Sequence, residues 1–256
     1  GWSQRTGRRI GRPARRALIM TLQKILAGLV APAFVISVLP ATPVQAEPLI
    51  WGVQAEQTEF RYGKDTDVFA WNFDALVGSD ELKLVWRSEG EFATKNDNFE
   101  RLENQLRAQV PISTFFDAVG GVRFSSPSTG NRFDGVIGLH GLAPQFFEVD
   151  ADLFVGEYPS ARLDVDYEVL LTNRLIATPT IELNLPFTDD TKYGKAAFGP
   201  SLEVGLRLSY DVVDRLLSPY IGIHYERSFG GTANIKRSEG EDAGAVFFLV
   251  GAKMIF

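Results

Sequence analysis

The chain has 256 residues, 45% of them apolar and 23% charged, with 24 glycines, no cysteine and a formal net charge of −6. One domain is the default at this length and neither disorder nor collagen fits the composition; the lack of cysteine excludes disulfide frameworks, cysteine-ligated zinc, iron–sulfur clusters and thiol catalysis together. The charge is unevenly divided, because residues 1–46 carry seven basic side chains and no acid while the remainder carries 19 basic and 32 acidic ones. Such an acidic body repels nucleic-acid phosphate and attracts cations.

The first segment reads as a targeting signal. Residues 25–39, ILAGLVAPAFVISVL, form an apolar stretch preceded by Lys24 and six arginines and followed by ATPVQA, with small residues Val44 and Ala46 around Gln45. That is a secretory pattern with cleavage after Ala46. The stretch is too short for a transmembrane anchor, and Pro32 interrupts it. The first methionine is Met20, so residues 1–19 read as an upstream extension. The expected organisation is therefore residues 1–46 as extension plus signal peptide and residues 47–256 as the folded body.

Beyond Glu47 the longest apolar run is AVFFLVGA, residues 245–252, far short of a spanning helix. What recurs is alternation with a period of two over segments of about ten residues, the signature of transmembrane strands. Twelve such segments lie near 49–62, 67–78, 81–92, 99–110, 115–125, 131–142, 146–156, 160–171, 174–186, 198–210, 219–229 and 245–256. In the eighth, Ala161, Leu163, Val165, Tyr167, Val169 and Leu171 share one face, and Arg162, Asp164, Asp166 and Glu168 the other. Connections on the side of the termini are mostly short and turn-forming, whereas the other side carries FTDDTKYGKAAFGP and GGTANIKRSEGEDAG. Aromatic residues near strand ends, namely Trp51, Trp71, Trp86, Phe92, Tyr158, Tyr210 and Tyr220, read as girdles at the lipid interfaces, and the chain closes on an alternating strand ending in Phe256. The predicted fold is all-β: a transmembrane antiparallel up-and-down β-barrel of about twelve strands, set in outer-membrane lipid.

If the apolar faces meet lipid, the polar faces line the lumen. The register then puts sixteen acids and nine bases inside, with the densest acidic spot in the hairpin around GEYPS. A turn centred on Tyr158 places Glu148 opposite Glu168, Asp150 opposite Asp166 and Asp152 opposite Asp164. Like charges across a strand pair repel, so a cation belongs there: an arginine such as Arg132 or Arg207 in an internal salt-bridge network, or a metal ion. His140 and His224, the only histidines, also face inward, where imidazole beside carboxylate suits Cu(II) or Zn(II) or serves as a hydrogen-bonded filler. The candidate metal residues are thus Glu148, Asp150, Asp152, Asp164, Asp166, Glu168, His140 and His224. No G-x-S-x-G run occurs and no catalytic constellation stands out, so no enzymatic activity is expected.

Seven stretches carry a resemblance: WGVQAEQTEFRY (51–62), LKLVWRSEGEF (82–92), GLAPQFFEVDADLFVGE (141–157), ARLDVDYEVLLTNRL (161–175), PTIELNL (179–185), LEVGLRLSYDV (202–212) and SPYIGIHYERSFGGTA (218–233). In these segments the sequence resembles the outer-membrane copper resistance protein B family. The resemblance implies a barrel in the bacterial outer membrane that binds copper or assists its export, alongside periplasmic copper-handling proteins. It also implies a Met- and His-rich segment between signal and barrel, where here only Glu47, Pro48 and Leu49 stand. The competing expectation is a non-selective porin or a purely structural barrel.

Overall fold

Twelve strands follow one another around a closed antiparallel sheet in a computed structural model that describes residues 48–256 apart from Asp65, Asn96, 127–129 and Asp214. The predicted signal and extension over 1–46 lie outside the described residues. The strands are β1 Ile50–Tyr62, β2 Asp67–Gly78, β3 Lys83–Ala93, β4 Asn98–Pro111, β5 Phe116–Ser125, β6 Arg132–Ala143, β7 Phe147–Val155, β8 in two pieces at Ser160–Asp166 and Val169–Leu170, β9 Leu175–Pro186, β10 Ser201–Tyr210, β11 Leu217–Ser228 and β12 Gly244–Ile255. Both pieces of β8 pair with β9, at Thr180↔Asp166 and Ile176↔Leu170, so they count as one interrupted strand. These ranges agree with the twelve alternating segments of the sequence to within a few residues.

Every strand pairs with its chain neighbours, and the ring closes where β1 meets β12, with Gln54 opposite Ile255 and Tyr62 opposite Phe248. The last residue completes the seam: Phe256 N–H donates to Val53 O at 2.8 Å and Val53 N–H to Phe256 O at 3.0 Å. Closure is what lets a sheet sit in hydrocarbon, since an open edge would leave a row of backbone groups without partners.

The faces divide as alternation requires. Phe133, Ile137, Ile221 and Phe248 are each more than 60% exposed on the outside, whereas their neighbours Asp134, Val136, Tyr220 and Phe247 are buried within. An outer band of rings joins β1, β2 and β4, with Phe60–Phe69, Phe69–Trp71 and Trp71–Phe99 centroids 4.9, 5.9 and 6.1 Å apart; Phe92 of β3 joins through Phe99 at 5.1 Å. Tyr220 does not belong to a girdle: it points inward, and its hydroxyl donates to Glu59 Oε2 at 2.9 Å.

At the end holding the termini the connections are short. At the far end, residues 187–200 and a helix, α1 (Gly230–Ser238), form the two longest links. The two meet at Thr232, whose hydroxyl donates to Gly199 O at 2.7 Å and accepts from Ala196 N–H at 3.1 Å. Arg132 ties the first of them down, since its guanidinium lies over the Tyr158 and Tyr193 rings, 4.3 and 3.6 Å from their centroids, and pairs with Asp190.

Candidate functional site

The lumen is lined by charge, and its chemistry depends on which charges are paired. The acidic hairpin of β7 and β8 is registered two residues away from the sequence arithmetic: Glu148 stands opposite Asp166, Asp150 opposite Asp164, and Asp152 opposite Arg162. The turn centres near Glu157 rather than Tyr158, so the third pairing sets an arginine and not an acid opposite Asp152. Glu168 moves out of the hairpin altogether. It occupies the break in β8, about 40% exposed, with Lys253 at 3.0 Å and Arg215 at 3.7 Å.

Asp150 and Asp152 are neutralised by arginines three and four strands away around the barrel. Arg107 of β4, with no exposed surface, holds Asp150 through two bonds of 2.8 and 2.9 Å and Asp152 through one of 3.0 Å. Arg87 of β3 adds a bond of 2.8 Å to Asp150 and also pairs with Asp74. The expected partners Arg132 and Arg207 are engaged elsewhere, with Asp190 and Glu59. Strand alternation shows which residues face inward but not which of them meet across the lumen. Gly138, directly opposite Asp152, leaves room for this carboxylate: a Cβ there would lie 2.1 Å from Asp152 Oδ1. Gly138→Ala is accordingly expected to cost about 1–3 kcal/mol, read as a lower urea midpoint for the variant barrel.

A second lattice crosses the lumen nearer the far end. Arg162 of β8 contacts Glu89 at 3.1 Å and Glu103 at 3.0 Å, on β3 and β4. Arg101 of β4 pairs with Glu89 and reaches Glu182 of β9 at 3.2 Å. Arg123 holds Asp134 at 2.8 Å and stacks on Phe154, 3.5 Å from the ring centroid.

The third lattice contains residues that simple alternation misplaces. Glu59 is fully buried and takes two bonds from Arg207, at 2.8 and 2.9 Å, one from Arg61 at 2.7 Å and one from Tyr220. Arg61 continues to Glu91 at 2.8 Å. Neither Glu59 nor Arg61 is lumenal by strict alternation from Glu56. Both become so because β1 carries a bulge at Glu56, seen as a shift between Ala55 and Gln57 against β2 and between Ala55 and Glu59 against β12. The signal is present in the sequence, where apolar Trp51, Val53 and Ala55 occupy odd positions and Phe60 and Tyr62 even ones.

The remaining acids are the ones available to a ligand. Glu148, Asp164 and Asp166, with Glu56, line a cavity of about 350 Å³ and carry no ion pair among the described residues. His140 shares this cavity, its Nδ1 3.5 Å from Asp150. His224 lines the same cavity, with Nε2 3.4 Å from Glu203 and 3.4 Å from Arg61. Six of the eight predicted residues, Glu148, Asp150, Asp164, Asp166, His140 and His224, line this cavity while Asp152 and Glu168 do not, and among the described residues no three histidine or acidic side chains converge as a ready-made metal cage.

An outer face of exposed apolar side chains on a closed sheet, around a charged interior, places the chain in the bacterial outer membrane. Its fold is similar to that of a NanC porin structure, with a TM-score of 0.50 and 12% identity, covering 80% of this chain and 99% of that one. In sequence it is 34% identical over 206 residues to copper resistance protein B of Escherichia coli, covering 80% of this chain and 69% of the relative. It is 33% identical over 204 residues to a copper resistance protein B homolog of Pseudomonas syringae pv. tomato, covering 79% and 68%. The family model for the copper resistance protein B precursor matches residues 49–256, the whole barrel, and the chain belongs to that family.

Proposed function

We propose that this barrel takes part in copper tolerance without catalysis, by drawing copper ions into an acidic lumen and holding them there or passing them on. The observation that carries this reading is the set Glu56, Glu148, Asp164 and Asp166, which line one cavity of about 350 Å³ without ion pairs while most acids around them are paired with arginine. Carboxylates left without a counter-charge in a confined, low-dielectric space concentrate cations. Carboxylate and imidazole donors suit Cu(II), and His140 supplies a nitrogen in the same space. The donors are dispersed rather than caged, which favours attraction and exchange over permanent capture, and periplasmic copper-handling proteins are the natural exchange partners in this reading. The rival reading, a passive or structural barrel, draws support from the arginine lattices, which alone would stiffen the wall.

The discriminating experiment replaces Glu148→Gln, Asp164→Asn and Asp166→Asn together, leaving every described ion pair intact. Cu(II) titration of the triple variant is expected to show an apparent affinity weakened about tenfold or more, equivalent to about 1.4 kcal/mol, with gel mobility of the folded barrel unchanged. An identical titration curve for variant and parent would remove the cavity from the account.

A further inference from the structure

Two cavities among the described residues lie one above the other in the lumen. The first, toward the termini, is the acidic space of about 350 Å³; the second, toward the far end, measures about 320 Å³ and is bounded by Arg123, Arg132, Tyr158, Lys195 and Lys236. They share only Glu91, Arg101 and Glu203 as lining residues. At that level the salt bridges reach across the barrel rather than along its wall. Arg101 to Glu182 joins β4 to β9, five strand positions around a ring of twelve and close to diametrically opposite. Arg162 spans from β8 to Glu89 on β3 and Glu103 on β4, while Arg61 on β1 flanks them by reaching Glu91 two strands along the wall on β3. Side chains that meet from opposite walls occupy the space an ion would need. Arg61, Arg162 and Glu103 are buried, so these groups are packed and not merely touching.

We propose that this crossbar, Arg101–Glu182 and Arg162–Glu89/Glu103 with Arg61–Glu91 beside it, is a septum that closes the barrel to ion flow, so that the protein at rest is two chambers and not a through-pore. Twelve strands are wide enough for a channel only if side chains do not fill it. Here arginines and carboxylates fill the middle and satisfy one another, which gives the closed state its stability and makes the septum the element that must part before anything crosses. The inference concerns the passage of simple salts and does not depend on copper binding.

Planar-bilayer recording tests it directly, with the full barrel in molar KCl. The parent protein is expected to show no stepwise conductance. A variant with the two arginines and every acidic partner of theirs removed, Arg101→Gln and Arg162→Gln with Glu89→Gln, Glu103→Gln and Glu182→Gln, is expected to produce discrete open-channel steps. Replacing partners together avoids leaving a single buried charge. Folding is checked by gel mobility, and if the fivefold variant does not fold, Arg101→Gln with Glu182→Gln alone carries the test. Stable conductance steps from the parent would overturn the proposal whatever the variants do. Silence from a correctly folded variant would overturn it as well, since the block would then lie elsewhere.

Discussion

Arg107→Ala is expected to destabilise the barrel by roughly 3–5 kcal/mol, the cost of breaking a buried ion pair by removing one partner. Arg107 has no exposed surface and binds both Asp150 and Asp152, so its loss strands Asp152 without its nearest cation and leaves Asp150 to Arg87 and His140. Lysine cannot reproduce the fork that spans two carboxylates, so Arg107→Lys should recover only part of the loss. Adding Asp152→Asn to Arg107→Ala should restore some stability, because the buried carboxylate left without a cation is then removed. Urea unfolding in lipid vesicles, followed by tryptophan fluorescence, checks all three variants. An Arg107→Ala barrel as stable as its parent would mean that the hairpin acids are solvated or paired in another way.

Ile137→Arg is the complementary case. Ile137 lies mid-strand in β6 and is 62% exposed on the outer face, where lipid and not water is the solvent. A charge at the bilayer midplane of a barrel costs about 2–4 kcal/mol. His140, three residues on and facing the other way, should accept glutamine with a change below about 1 kcal/mol, because it lines a polar cavity. The same unfolding assay compares the two substitutions. A soluble barrel would show the opposite ranking, with arginine at position 137 harmless.

Why the strands were legible and the lattices were not has a physical basis. A membrane barrel must present alternating faces along every strand, so period-two patterning in stretches such as 161–171 locates strands and assigns inside from outside without knowledge of any partner. Two things escape that logic. A bulge adds one residue and reverses the parity beyond it, so strict alternation puts Glu59 and Arg61, at the centre of one lattice, on the wrong face. A hairpin's register depends on its turn, and a shift of two residues preserves the faces while changing every partner, which replaced the Asp152–Asp164 pairing with Asp152–Arg162. Contacts across the lumen, such as Arg107 with Asp150 or Arg101 with Glu182, join strands three to five positions apart. They follow from barrel curvature and side-chain reach, which no local pattern encodes. Within the candidate site, Glu148, Asp150, Asp164, Asp166, His140 and His224 share one cavity as their inward facing implied, while Glu168 stands elsewhere, beside Lys253.

The account rests on carboxylates left free in the lumen, and the measurement that addresses them most directly is calorimetric titration of the parent barrel, purified in detergent, with Cu(II) and with Zn(II) and Mg(II) as controls. Saturable binding that prefers copper over zinc, and zinc over magnesium, is the predicted result, since nitrogen and oxygen donors rank divalent ions in that order. Heats for Cu(II) no larger than those for Mg(II) would contradict it, and would leave the barrel a scaffold whose acids serve only to hold its arginines.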